Sequence, residues 1–241
     1  MKIIDAVWEK RNLGVNCVEV TIEKSDLLEN CGDKLLSINS EYTVIKIPTY
    51  KLDFSLLLQS NGYTMIELIT TCYHKGVLPE VPSIYNRILK AVSCGIMNVE
   101  EKGVLYNKIS EGMFDDDRVS LDPEFSSKQS SDRYIGWISD EIRQGSVLYK
   151  LIYKNNVCGF FTLADKENGH FYSSLGGIYP EFQGAGMGVC MNYHEISEAI
   201  KSNAKRIYTS FSNNNRGAYS VHLMMSYVLK EQFYVYIKHN K

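Results

Sequence analysis

The sequence predicts an α/β (α+β) chain, with a mixed central sheet flanked by helices and an additional, smaller α/β unit at the N-terminus. Three observations carry this. From residue 130 the hydrophobic period switches between strand and helix in the order helix, β-hairpin, strand, helix, strand, helix, strand. The first hundred residues hold shorter β-rich runs broken by turn residues. Between a strand ending near Ile178 and a helix starting near Met187, glycine recurs at 184, 186 and 188. Two units are expected, 1–100 and 101–241, joined in the stretch 95–112, where neither period is visible.

In the N-terminal unit, Asn16 to Ile22 alternates as a strand, and Tyr42 to Ile47 is β-branched and stops at Pro48. Asp53 to Gln59 reads as a helix closed by Asn61-Gly62, where glycine permits a left-handed cap. Thr64 to Tyr73 is a strand, Gly76, Pro79 and Pro82 crowd a loop, and Ser83 to Val92 has helical spacing.

In the C-terminal unit, Ser130 or Ser131 caps a helix running to Arg143, with Tyr134, Trp137, Ile138 and Ile142 near one stripe. Val147 to Tyr153 and Val157 to Leu163 form a hairpin around Asn155-Asn156. His170 to Ile178 is a further strand, Met187 to Ser202 a helix, Arg206 to Ser212 a strand, Arg216 to Met225 a helix and Gln232 to Lys238 the last strand. Leu57 to Thr70 and Met224 to Ile237 rhyme: each runs from a helix end into a strand. Chance similarity and a decayed second copy of one architecture both account for that.

Composition narrows the function. The 241 residues include 26 Lys+Arg and 28 Asp+Glu, a formal net charge of -2, so no global basic field exists to hold nucleic acid. No run reaches the roughly 20 apolar residues of a membrane span. The six cysteines are scattered with no C-x-x-C pair, so a zinc ribbon or redox pair is not expected; buried thiols in a reducing cytoplasm are. Asp115-Asp116-Asp117 reads as a solvated loop rather than a metal site, and no metal is expected.

The run Leu175 to Gly188, LGGIYPEFQGAGMG, carries the chemistry. Glycines let successive N–H groups face one concavity, and a helix start adds free donors and positive dipole, a natural diphosphate site. A Walker loop would need Gly-Lys-Ser/Thr, and a dinucleotide fingerprint would need glycine where Val189 stands. The pattern present is Gln183-x-x-Gly186-x-Gly188, preceded by Ile178-Tyr179-Pro180. With Gly159-Phe160 on the hairpin and Asn215-x-x-Ala218 at the later helix, this resembles the acyl-CoA loop of the GNAT superfamily of N-acetyltransferases over residues 115–240.

The resemblance implies a GNAT fold, a smaller N-terminal unit that is a truncated relative without its own CoA loop, and direct attack of an amine on acetyl-CoA in a ternary complex. It implies cofactor contacts at Leu175, Gly176, Gly177, Ile178, Gln183, Gly184, Ala185, Gly186, Met187, Gly188 and Asn215. Where many members place a tyrosine that protonates the CoA thiolate, this chain aligns His222, and Ser226 replaces a usual glycine; Tyr219 and Tyr227 are the alternatives in another helix register. Catalytic roles are therefore expected at His222, Asn215 and Tyr227. Asp117, Asp122, Glu124 and His170 are candidate bases.

A second, narrower resemblance rests on Asp117-Arg118-Val119-Ser120-Leu121-Asp122-Pro123 and Arg133-Tyr134-x-x-Trp137-Ile138. It is to the GNAT subgroup that acetylates nucleotide-linked amino sugars in bacterial surface-polysaccharide synthesis. It implies acceptor contacts at Arg118, Asp117 and Tyr134, with Arg118 on the nucleotide diphosphate unless an ion pair with neighbouring aspartates occupies it. Protein or other small amines, and a non-catalytic acyl-CoA-binding protein, are the alternatives. A cytoplasmic monomer or homodimer is expected, without nucleic-acid or membrane partners.

Overall fold

The computed structural model describes residues 1–240. In the N-terminal part, β1 (Lys2–Asp5), α1 (Val7–Leu13), β2 (Cys17–Thr21), α2 (Leu28–Leu36), β3 (Tyr42–Pro48), α3 (Leu52–Ser60) and β4 (Thr64–His74) follow one another. A 3-10 turn at Ser83–Tyr85 leads into α4 (Asn86–Ala91), β5 (Val92–Ile96), α5 (Val99–Ser110), α6 (Arg118–Leu121) and α7 (Ser127–Arg143). Then come β6 (Val147–Tyr153), β7 (Asn156–Asp165), β8 (His170–Tyr172), β9 (Gly176–Ile178), α8 (Met187–Lys201), β10 (Arg206–Ser212), α9 (Arg216–Met224) and β11 (Val228–His239).

The strands form one mixed sheet in the order β1-β2-β3-β11-β4-β10-β8-β7-β6-β5, with β9 paired to β7. Strand alternation sends Phe160 and Phe161 to opposite faces. On one face α8 packs Val189, Cys190, Ile196 and Ala199 with Phe161, Leu151 and Ile207. On the other, α5 and α7 pack Leu105, Ile109, Tyr134 and Ile138 with Phe160 and Leu148.

Residue 100 is not a break in this sheet. The C-terminal strand β11 lies between β3 and β4, and β4 lies between β11 and β10. The pairings repeat at an offset of 167 residues. Ile45↔Tyr236 maps onto Ser212↔Ile69, and Thr43↔Lys238 onto Ser210↔Thr71, because 45 and 212, 236 and 69, 43 and 210, 238 and 71 each differ by 167. Leu68↔Tyr234 maps in the same way onto Glu67↔Val235. The rhyming segments beginning at Leu57 and Met224 have this same offset. Two β–α–β units thus meet about a local two-fold, each passing its last strand into the other.

Several expected boundaries move. The cap of α7 is Ser126: its hydroxyl accepts from the Gln129 N–H at 3.3 Å while Gln129 accepts from the Ser126 N–H at 2.9 Å, which starts the helix a turn before Ser130. Ser131 is buried in that helix and donates to the Ile109 carbonyl at 3.0 Å. The hairpin turns on Lys154 and Asn155, at φ 49° and 64°, because Asn156 already pairs with Tyr153. α2 and α5 had no expected element; α5 starts from an Asn98/Glu101 capping box. The strand expected from His170 to Ile178 is broken at Ser173–Leu175 into β8 and β9. No helix of the described residues is long and apolar enough to cross a membrane.

Candidate functional site

The break between β8 and β9 opens the sheet. β10 runs parallel to β8, with Tyr208 opposite Tyr172, and then diverges, so β9 keeps only β7 as a partner. The Thr162 N–H donates to the Leu175 carbonyl at 2.8 Å, and the Tyr179 N–H to the Cys158 carbonyl at 2.9 Å. Antiparallel alternation then points the main-chain groups of Leu175, Gly177 and Tyr179 at β7, and those of Gly176 and Ile178 at the gap. Gly176 and Ile178 are therefore the edge with no strand partner, the Ile178 carbonyl meeting only the Gln183 amide at 3.5 Å, whereas the Leu175 N–H is held by the Thr162 hydroxyl at 3.1 Å. Gly159 permits this geometry, because a Cβ there would come within 2.7 Å of the Gly177 carbonyl oxygen.

At the end of β9 the glycine loop closes a cleft of about 1150 Å³. Gly184, Ala185 and Gly186 take φ of 86°, 46° and 83° in succession. For Ala185 that conformation costs roughly 1–2 kcal/mol. The N–H groups of Gly184, Ala185, Gly186, Gly188 and Val189 have no protein partner among the described residues, and all five residues line the cleft. Gln183 turns its amide toward the Ile178 carbonyl at 3.5 Å, and Met187 is buried in the core at the first turn of α8. Tyr85, unremarked in the sequence, presses on the loop: a Cβ on Gly186 would lie 2.5 Å from its ring. These donors and the edge at Gly176 and Ile178 suit a diphosphate joined to an amide-bearing chain, which is the makeup of coenzyme A. The buried Asn192 Oδ1, without a protein partner among the described residues, also lines the cleft.

The expected catalytic residues are placed differently. Asn215 caps α9, its Oδ1 accepting from the Ala218 N–H at 2.8 Å, which explains the Asn-x-x-Ala spacing, and it lines the cleft. His222 also lines the cleft, but its Nδ1 lies 2.7 Å from the Ala218 carbonyl. A carbonyl only accepts, so Nδ1 carries the proton. Burial pushes the ring down to about 4, so near neutral pH Nε2 is an acceptor with no proton to give a thiolate. Tyr227 does not reach the cleft; its hydroxyl donates to the buried Glu195 at 2.8 Å. Tyr219 does not line the cleft either. Burial pushes the Glu195 carboxyl up to about 7, opposed by bonds from Tyr227 and Ser173.

The expected acceptor residues form an ion network. Arg118 is 5% exposed, with one amino group 2.6 Å from both Glu9 and Glu19. Arg133 reaches Glu9 at 2.9 Å and Asp117 at 2.8 Å. Asp117 also caps α6, accepting from the Ser120 N–H at 3.0 Å. Tyr134 stacks on Phe114, with ring centroids 4.4 Å apart. Arg118 is thus held by Glu9 and Glu19 from α1 and β2 rather than by the neighbouring aspartates, and it lines the cleft. Of the four candidate bases only Asp117 lines the cleft, and Asp122 is buried against His239 at 2.8 Å.

Glu67 was missed. It stands on β4, 4% exposed, and lines the cleft together with Ser212 at the end of β10. Its signal was a lone acid between Ile66 and Leu68 in a β-branched strand. Burial pushes its carboxyl up. Burial, with Asp115 and Asp117 beside it, does the same to Asp116. No cluster of the described residues is arranged to hold a metal ion.

This sheet order, the splayed strand pair and the glycine loop define the GNAT fold, and solved structures carry the same fold. A GCN5-related N-acetyltransferase from Sphaerobacter thermophilus superposes with a TM-score of 0.56 at 12% identity, covering 88% of this chain, which spans only 64% of that protein. One from Kribbella flavida gives 0.55 at 11% identity, covering 94% of this chain and 82% of its own. A glucosamine N-acetyltransferase region of a fungal multi-domain β-N-acetylglucosaminidase gives 0.60 at 13% identity, covering 81% of this chain and 25% of its own. No family model and no curated protein matches the sequence.

Proposed function

We propose that the protein transfers an acetyl group from acetyl-CoA to the primary amine of a small molecule that carries positive charge. The single observation behind this is the row of five unpartnered loop N–H groups, continued by the free edge of β9. The loop donors would hold the diphosphate, and Gly176 and Ile178 would pair with the amide-bearing arm. Acetyl-CoA supplies an activated acyl group. This chain's residues hold it in line with the acceptor, so that orientation rather than a covalent enzyme intermediate does the work.

Charge favours a cationic acceptor. Lys46, Arg118 and Arg133 all line the cleft with carboxylate partners, whereas Glu67, Asp115 and Asp116 line it without an ion pair among the described residues. An ammonium is attracted there and a second diphosphate is not. A nucleotide-linked amino sugar is the second reading. Trp8, Tyr134 and Trp137 favour it, as aromatic surfaces on which a sugar or base packs, and the glucosamine N-acetyltransferase region among the structural neighbours gives it further support.

The test is thiol release from acetyl-CoA with polyamines, amino sugars and TDP- and UDP-linked amino sugars. Turnover with the first two classes supports the first reading, and turnover with the nucleotides alone supports the second. Tight CoA binding without turnover on any amine leaves a non-catalytic acyl-CoA-binding protein. Absence of CoA binding refutes the loop assignment.

A further inference from the structure

We propose that Glu67, on strand β4 of the N-terminal half, takes the proton from the acceptor's ammonium group. This rests on the acetyl-transfer reading above. Four observations place Glu67. Its strand is inserted between β10 and β11, next to the diverging end of β10. Ser212, the last residue of β10, lines the same cleft, and its hydroxyl favours the ionised form of the Glu67 carboxyl. Gly176 and Ile178 of the β9 edge line the same cleft as Glu67 and Ser212. Glu67 and Ile69 share a strand face and both line the cleft.

Its surroundings fit a proton acceptor. From α6 it faces Arg118, from α7 Arg133, and from the preceding loop Asp117, while Val235 of β11 lies opposite it in the ladder. Both arginines are engaged by other carboxylates, so neither forms an ion pair with Glu67. Asp116 and the Glu19–Lys46 pair also line the cleft. Among the cleft acids without an ion pair, Glu67 and Glu195 are the buried ones; Glu195 stands on α8 and is held by the Tyr227 hydroxyl at 2.8 Å, Glu67 stands on the sheet, and Asp115 and Asp116 stand on a loop.

The step balances. The ammonium loses one proton to a Glu67 oxygen, which later passes it to water. The freed nitrogen lone pair bonds to the acetyl carbonyl carbon, the C–S bond breaks with its electron pair on sulfur, and the second nitrogen proton ends on that thiolate. The products are the amide, CoA thiol and one released proton.

The experiment compares wild type, Glu67→Gln and Ser212→Ala in kcat/KM for the best amine of the panel from pH 6 to 10, with acetyl-CoA affinity and thermal unfolding measured alongside. Glu67→Gln is expected to lose about 100-fold at pH 7, to keep acetyl-CoA affinity within about two-fold, and to recover as pH approaches the amine's own pKa. Ser212→Ala is expected to move the acid limb to higher pH, because the hydroxyl that favours the ionised Glu67 carboxyl is removed. Activity of Glu67→Gln within about three-fold of wild type, with the same pH profile, overturns the proposal. If Glu67→Gln does not fold, an unmoved acid limb in Ser212→Ala overturns it instead. If wild type turns over no amine, the acetyl-transfer reading itself falls and the proposal with it.

Discussion

Replacing Arg118 by Met removes a cation from a place water does not reach. The guanidinium is 5% exposed and sits 2.6 Å from Glu9 and 2.6 Å from Glu19. Without it the two carboxylates keep only Arg133, at 2.9 Å from Glu9, and Lys46, at 3.2 Å from Glu19. Removing one member of a buried ion pair costs about 3–5 kcal/mol. At roughly 2–4 °C per kcal/mol for a chain of this size, the melting temperature should fall by about 10 °C. Calorimetry and urea titration at pH 7 measure it, and the Glu9→Gln/Arg118→Met double variant should recover part of the loss, because it no longer buries an unmatched charge. The pH dependence follows. Burial raises the Glu19 carboxyl, but Arg118, Lys46 and Arg133 outweigh it and hold it at about 2, against 4.5 unperturbed. That depressed value contributes about 3 kcal/mol of stability above pH 4.5, lost as pH falls toward 2. Arg118→Met should flatten that acid limb. A melting loss under about 3 °C together with collapsed acceptor affinity would show that Arg118 serves a ligand, and the reasoning would fail.

Gly184→Asp should weaken acetyl-CoA binding by at least about ten-fold in calorimetry, since it puts a carboxylate among the free loop donors. A Cβ there meets nothing within 4 Å, and asparagine-like residues tolerate its φ of 86°, whereas any change at Gly186 also collides with Tyr85; unchanged affinity would count against the diphosphate site. His222, lowered to about 4 by burial, is neutral in the folded chain and takes up a proton on unfolding, so stability should drop by about 3 kcal/mol between pH 6.5 and 4. His222→Phe should be spared that drop, and an equal drop in both proteins would show that the ring is solvated. Cys17, Cys72, Cys158 and Cys190 are buried and should resist a thiol reagent until the chain unfolds, with Cys31 and Cys94 modified first; rapid modification of all six would contradict the packing.

What the sequence determined by itself was local. Glycines at 184, 186 and 188 before a helix announced free donors, and alternating runs marked most strands, because turn chemistry and strand period act over a few residues. The helix α5 stayed hidden although its start carries a capping box, since it buries only Leu105 and Ile109 while Val99 and Val104 are exposed, which blurs the helical period. Tertiary structure alone decided the rest. The Arg118 network joins residues 9, 19, 118 and 133, and only packing sets which carboxylate an arginine meets. Glu67 enters the cleft only because β4 is inserted beside β10, a pairing made across more than 130 residues of chain. Sequence spacing carries no record of a contact at that separation; the sheet's hydrogen bonds and the burial of both faces create it.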